Sequence, residues 1–121
     1  MQNDFFFLAA LTLIFIHEMD AIRCREWRLF PVLSSLDDKV SSAIFIVLHI
    51  PLFYWILSQI SGDSSSETFR IGFDIFMIVH IVLHLLFLKH KNNEFKGWVS
   101  WGIILGAGLF GALDLFWLNL F

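Results

Sequence analysis

The sequence predicts an all-α integral membrane protein, a single domain built as a bundle of four transmembrane helices. Of its 121 residues, 58% are hydrophobic and 16% are charged, whereas a soluble domain has about 45–50% apolar and about 25% charged residues. A soluble core of this size could not bury so much apolar surface. Four long apolar stretches, separated by short polar connections, complete the pattern.

The four stretches cover about residues 5–22, 40–60, 71–88 and 98–121. A helix needs roughly 20 residues, at about 1.5 Å each, to cross the hydrocarbon. The second and fourth stretches meet this length and the third is at its short end. The first has only a dozen apolar residues before His17, so it spans only if its polar end lies in the bilayer or in a protein interior. The alternative is an interfacial or re-entrant first segment.

Basic residues predict the orientation. The first connection holds Arg23, Arg25, Arg28 and Lys39, and the third holds three lysines, whereas the opposite side has Arg70 alone. The positive-inside rule then places these two connections in the cytoplasm and both termini outside the cell, in an inner (plasma) membrane crossed several times. The net charge of −3 gives no general attraction to nucleic acid, so the expected partner is the lipid bilayer.

The first stretch ends in FIHEMDAI, which contains three ionisable side chains: His17, Glu18 and Asp20. Helical rise places His17 roughly 7 Å inside the cytoplasmic boundary. Histidines on the second and third helices fall within about 7–13 Å of the same boundary; they are His49, His80 and His84. Because ionisable groups at such depths usually pair in a bundle interior, we expect these side chains to meet.

Imidazole and carboxylate groups together form the first shell of many transition-metal sites. His80 and His84 are four residues apart and therefore project from the same side of a helix. The sequence thus predicts a site for a divalent transition metal, Zn or Fe, whose candidate ligands are His17, Glu18, His49, His80 and His84. Glu18 and Asp20 are the candidate catalytic residues, because a carboxylate can orient a ligand histidine or act as a general base.

Such a site favours a metal-dependent enzyme, a hydrolase or an oxidoreductase, acting on a lipid-like or membrane-dissolved substrate. One alternative is a small dimeric transporter, coupled to protons or metal, that uses the same residues. A second is a haem protein with His49 and His80 as axial ligands. The remaining alternative is that the histidines only form hydrogen bonds between helices.

Small residues recur in the fourth stretch, GIILGAGLFGALD, which contains Gly102 and Gly106 as a GxxxG pair. They permit close helix approach, either within the chain or in a homodimer. At the outer end Asp114 is expected near Arg70 or beside Asp74. Cys24, the single cysteine, excludes an internal disulfide.

The segment HEMDAIRCREWRLFP resembles small bacterial four-helix membrane proteins that begin with an H-E-x-D-A motif followed by an E-W-x-x-F-P-like segment. It is also similar to the HXXEE family of small membrane proteins. His17 matches the histidine of that family and Asp20 its first acidic residue, while Ala21 replaces the second. The resemblance implies a membrane protein with a metal site and supplies no reaction.

Overall fold

The computed structural model describes residues 4–62 and 66–120, and its regular elements in these ranges are all helices. In chain order they are α1 (Phe5–Arg23), a 3-10 turn (Glu26–Leu29), α2 (Pro31–Ser34), α3 (Asp38–Ile60), α4 (Glu67–Leu86) and α5 (Trp98–Leu120). Four of them, α1, α3, α4 and α5, are long and apolar enough to cross a membrane. The predicted fold class is therefore confirmed. Phe121, the predicted last residue of the fourth helix, lies outside the described residues.

Capping side chains explain where two of the long helices begin. The Asp37 carboxylate accepts a hydrogen bond from the Lys39 amide at 3.2 Å, immediately before α3. The Ser66 hydroxyl accepts one from the Phe69 amide at 3.3 Å, before α4. Such caps satisfy amide groups that have no partner within the helix. The cap at Ser66 starts α4 four residues before the predicted start at residue 71.

Helices α1, α4 and α5 form the core of the bundle, and small residues of α5 allow their close approach. A β-carbon at Gly111 would lie 2.7 Å from the Met77 β-carbon, and one at Gly108 would overlap the Ile81 side chain. Ala107 and Met77 have no exposed surface. Part of the glycine-rich face therefore packs within the chain, whereas a β-carbon at Gly102 would meet no atom within 4 Å. The homodimer stays a prediction.

Helix α3 lies at the side of this core. Of the most apolar 18 consecutive residues of α3, only 17% are buried, compared with 33–39% in the corresponding segments of the other three long helices. Aromatic contacts attach it along its length: ring centroids of Phe15 and Phe53 are 4.9 Å apart, and those of Trp55 and Phe69 are 5.4 Å apart. Loose packing of α3 leaves cavities between it and the core helices.

A buried arginine joins the core helices at the end where α1 begins. Arg70 of α4 donates two hydrogen bonds of 2.6 Å to the two carboxylate oxygens of Asp114 on α5. It donates a third, also 2.6 Å, to Asp4, which precedes α1. The prediction that Asp114 lies near Arg70 is confirmed. One guanidinium thus links all three core helices at the end away from the histidines.

Candidate metal centre

Three histidines converge inside the core, near the other end of the bundle. The Nε2 atom of His80 lies 3.1 Å from Nε2 of His17 and 3.2 Å from Nε2 of His84. One ligand atom from each of the three side chains lies within 4.8 Å of the other two. All three are buried, with 0–7% of their surface exposed. We call His17, His80 and His84 the histidine triad.

Helical periodicity produces the triad. On α4, His80 and His84 follow Met77 on the buried face, at spacings of three and four residues. On α1, His17 lies on the buried stripe that also contains Ile14 and Ala21. Because α1 and α4 flank the same core, the two faces bring the imidazoles together.

The triad fits a metal ion by both distance and donor chemistry. Zinc–nitrogen bonds of about 2.0–2.1 Å in a tetrahedral site place ligand nitrogens about 3.3 Å apart, close to the two measured separations. The Nε2 atom of His80 carries one lone pair or one proton, so it cannot form a good hydrogen bond to both neighbouring Nε2 atoms. A cation would accept lone pairs from all three. The Nδ1 atoms of His17 and His80 are buried without a hydrogen-bond partner among the described residues.

Glu26 lies beside the triad and was not among the predicted ligands. Its Oε2 atom is 3.5 Å from Nε2 of His17 and is buried without a hydrogen-bond donor among the described residues. The backbone of Arg25, in the left-handed region with φ 52°, turns the chain back towards the bundle before Glu26. Arg28 and Trp27 hold this turn by hydrogen bonds of 2.6–3.0 Å to Asp38 at the start of α3. In the sequence, the only signal was the glutamate of the E-W-x-x-F-P-like segment.

Phe95 covers another side of the triad. Its ring stacks on His17, with centroids 5.5 Å apart and planes inclined by 25°, and meets the His84 ring edge-on at 4.7 Å. The Phe95 amide donates to Asn93 Oδ1, and its carbonyl accepts a 2.7 Å hydrogen bond from Trp101 Nε1. The connection between α4 and α5 therefore shields the imidazoles from water.

Glu18 and His49, both predicted ligands, bind each other instead of joining the triad. Oε2 of Glu18 lies 2.6 Å from Nε2 of His49. Nδ1 of His49 lies 2.6 Å from the Phe45 carbonyl, and since a carbonyl only accepts, this nitrogen donates. One proton therefore lies between Nε2 and the Glu18 carboxylate. With both nitrogens engaged, His49 does not form the facing pair with His80 that a haem requires.

Asp20 lies on the α5 side of the triad, away from the cavity described next. Its Oδ1 accepts a 2.8 Å hydrogen bond from Arg23 Nε, and Arg23 also donates to Ser100 on α5 at 3.1 Å. Cys24 contacts the same Ser100 hydroxyl at 3.8 Å, and burial raises the pKa of its thiol. Cys24 does not belong to the group of three residues whose ligand atoms converge.

A cavity of about 480 Å³ borders the triad between α3 and the core helices. Its wall is mainly apolar, and its ionisable lining consists of Glu18, Glu26, His49, His80 and His84. A second cavity, of about 630 Å³, continues towards the other end of α3 and shares Glu18 and Phe76 with the first. The pair of cavities offers a long apolar path that ends at the histidines.

These features define the class: a multi-pass helical membrane protein with a buried cluster of three histidines that could hold a metal ion. The chain belongs to the family of unknown function DUF6713, which it matches over residues 3–120. No curated protein and no solved structure matches it.

Proposed function

We propose that the protein is an intramembrane metalloenzyme in which the histidine triad holds a divalent transition metal, Zn or Fe. The observation that carries this proposal is the convergence of three buried Nε2 atoms next to an apolar cavity. Neutral imidazole is a ligand for both metals. The bound metal would supply Lewis acidity towards an oxygen atom of the substrate.

The two glutamates at the cavity provide the acid–base chemistry. Glu26 has a carboxylate oxygen 3.5 Å from His17 without a hydrogen-bond donor among the described residues. It can complete the ligand set or accept a proton from a reacting group. The Glu18–His49 pair already holds one proton at a 2.6 Å contact and lines the same cavity. It can return a proton to a leaving group. Asp20, bound to Arg23, would only support the position of α1.

A lipid-like substrate matches the two cavities. Their walls are mainly apolar, and they lie beside the loosely packed α3, where a molecule dissolved in the bilayer can enter. The polar end of such a molecule would lie at Glu18, Glu26 and the triad, while its chain follows α3. Zn has no redox chemistry of its own and would suit a hydrolase, whereas Fe could also support an oxidoreductase.

An apolar layer favours the enzyme over a transporter. A transporter must connect the triad to the acidic residues around Arg70 in at least one state. Between these two ends, the core is filled by buried apolar side chains: Leu11, Ile14, Met77 and Ala107. The second cavity reaches Ile14 and Met77 of this layer from the α3 side, but neither cavity is lined by Arg70, Asp74 or Asp114. The transporter is therefore less well supported. The haem protein is also less well supported, because Nε2 of His49 contacts Glu18 and does not face His80.

The orientation follows from the basic connections. We place the triad in the cytoplasmic half of a bacterial plasma membrane, with both termini outside. A C-terminal fusion to alkaline phosphatase should be active and one to green fluorescent protein dark. The reverse pattern would contradict this orientation without affecting the metal site.

Metal analysis tests the proposal. The full chain, purified after expression with added Zn or Fe, is analysed by plasma mass spectrometry beside His84→Ala and a control, His90→Ala. His90 lies in the connection after α4 and its Nδ1 accepts from the Asn92 amide. We expect about one metal per chain in the wild type and the control, and loss in His84→Ala. A metal-free wild type would refute the proposal.

A second measurement tests catalysis. Total bacterial lipid extract, in mixed micelles with the metal-loaded chain, is followed over time by mass spectrometry. We expect one lipid class to decrease with the wild type and the control but not with His84→Ala. Identical lipid profiles for all three proteins, with either metal and in air, would leave a metalloprotein but would contradict the enzyme.

A further inference from the structure

A fully buried carboxyl group, Asp74, lies near the end of the core opposite the triad. Neither of its oxygens receives a hydrogen bond from a nitrogen or hydroxyl donor among the described residues. The Asp74 backbone packs against α5 at Gly111, where an added β-carbon would lie 3.4 Å from the Asp74 carbonyl oxygen, three residues before Asp114. The Asp74 side chain lies within hydrogen-bonding reach of the Asp114 carboxyl group. Both Asp114 oxygens already accept from Arg70 at 2.6 Å. The two buried acidic groups therefore meet between α4 and α5, and among the described residues the one guanidinium beside them is that of Arg70.

Two carboxylates cannot form a hydrogen bond to each other unless one of them carries a proton, because each only accepts. Among the described residues, the charged groups around the pair are Asp4, Arg70 and Asp114. The Arg70 guanidinium binds both the Asp4 and the Asp114 carboxylates. A third negative charge at Asp74 would be buried without a donor, which is expensive in a low-dielectric interior.

We propose that Asp74 and Asp114 form a proton-binding site, in which an Asp74 hydroxyl donates to the Asp114 carboxylate. This site is separate from the proposed metal centre, since the buried Met77 lies between Asp74 and His80 on α4. The ligand is a proton and the site needs no metal. The proposal therefore stands or fails independently of the metalloenzyme.

Infrared spectroscopy of the purified full chain tests the site. A protonated carboxyl group absorbs in the carbonyl region above the amide band, where carboxylates do not. We expect the wild type to show such a band at neutral pH, Asp74→Asn to lack it, and Glu67→Gln, changed at an exposed residue in the first turn of α4, to retain it. Spectra in this region that are the same for wild type and Asp74→Asn would overturn the proposal.

Thermal unfolding provides the second measurement. The amide of Asp74→Asn can donate to Asp114 as the acid does, so its unfolding temperature should change by less than about 4 °C. Asp114→Asn removes the carboxylate that accepts two hydrogen bonds from Arg70 inside the core and should lower the temperature more. A larger loss for Asp74→Asn than for Asp114→Asn would show that Asp74 is charged and would overturn the proposal. A wild type without the acid band but stabilised by sodium would identify a cation site instead and overturn it as well.

Discussion

Replacing Arg70 by Met should destabilise the bundle strongly, because the change removes both nitrogen donors, and the only facing positive charge among the described residues, from the buried Asp114 carboxylate. Arg70 has 1% of its surface exposed and Asp114 has none. Two hydrogen bonds of 2.6 Å join them, and a charged hydrogen bond contributes about 1.5–3 kcal/mol. The two together give about 3–6 kcal/mol, in agreement with the roughly 3–5 kcal/mol lost when one partner of a buried ion pair is removed.

The five tryptophans provide the signal for detergent-induced unfolding of the full chain. The measurement covers wild type, Arg70→Met, Asp114→Asn and the double variant, so that the coupling energy can be calculated. We expect the double variant to lose clearly less than the sum of the single losses, because the second change removes the charge that the first left unpaired. A loss below about 1 kcal/mol for Arg70→Met, or additive losses, would refute the assignment of this pair as buried and directly bonded.

Three further outcomes follow from the structure. Glu26→Gln should weaken metal binding about 10–100-fold in chelator competition, as changes beside ligand histidines do; an unchanged dissociation constant would place Glu26 outside the site. His49→Gln should keep the metal at wild-type stoichiometry. Loss of the metal in this variant would instead show that His49 is a ligand, which was the prediction from the sequence. Gly111→Ala should cost about 1–3 kcal/mol because its β-carbon would lie 2.7 Å from that of Met77. The control Gly102→Ala, which meets open space, should be neutral or stabilising, and equal losses in detergent unfolding would contradict the packing.

Length and periodicity carried most of the predicted fold. The apolar stretches are long enough to span a membrane, so the class of protein followed from composition and helical rise. The convergence of His80, His84 and His17 also follows from these rules, because four-residue spacing sets a common face and depth sets a common level. These rules do not predict which neighbouring helix each helix face packs against.

Glu18 and His49 illustrate this limit. Successive helical residues are rotated by about 100°, so His17 points into the core towards α4 while Glu18 points towards α3. Helix α3 lies outside the core, and its histidine therefore meets Glu18 at 2.6 Å. Depth in the membrane, which the sequence gives, predicted a single cluster of all these side chains. The arrangement of the helices, which the sequence does not give, separates the Glu18–His49 pair from the histidine triad.

Glu26 could not be predicted from local sequence rules. A left-handed backbone is expected at glycine or asparagine, yet here Arg25 adopts φ 52°. Hydrogen bonds from Trp27 and Arg28 to Asp38 hold the turn from outside. These hydrogen bonds join residues 10 and 11 positions apart in the sequence. Only the three-dimensional structure shows that they direct the Glu26 side chain towards His17.

The arrangement of the helices assigns the buried Arg70 and the histidine triad to the core helices α1, α4 and α5, and part of the cavity wall to α3. Both buried polar centres are built on the core: α4 supplies Arg70 and Asp74 to one and two histidines to the other, and small residues of α5 hold the helices close. Helix α3 contributes a cavity wall and His49, but no member of the triad. A change on the cavity-facing side of α3, such as at the exposed Leu48, should therefore alter which molecules enter while the three Nε2 atoms stay in place. In the proposed enzyme, substrate choice and metal binding would therefore depend on different helices.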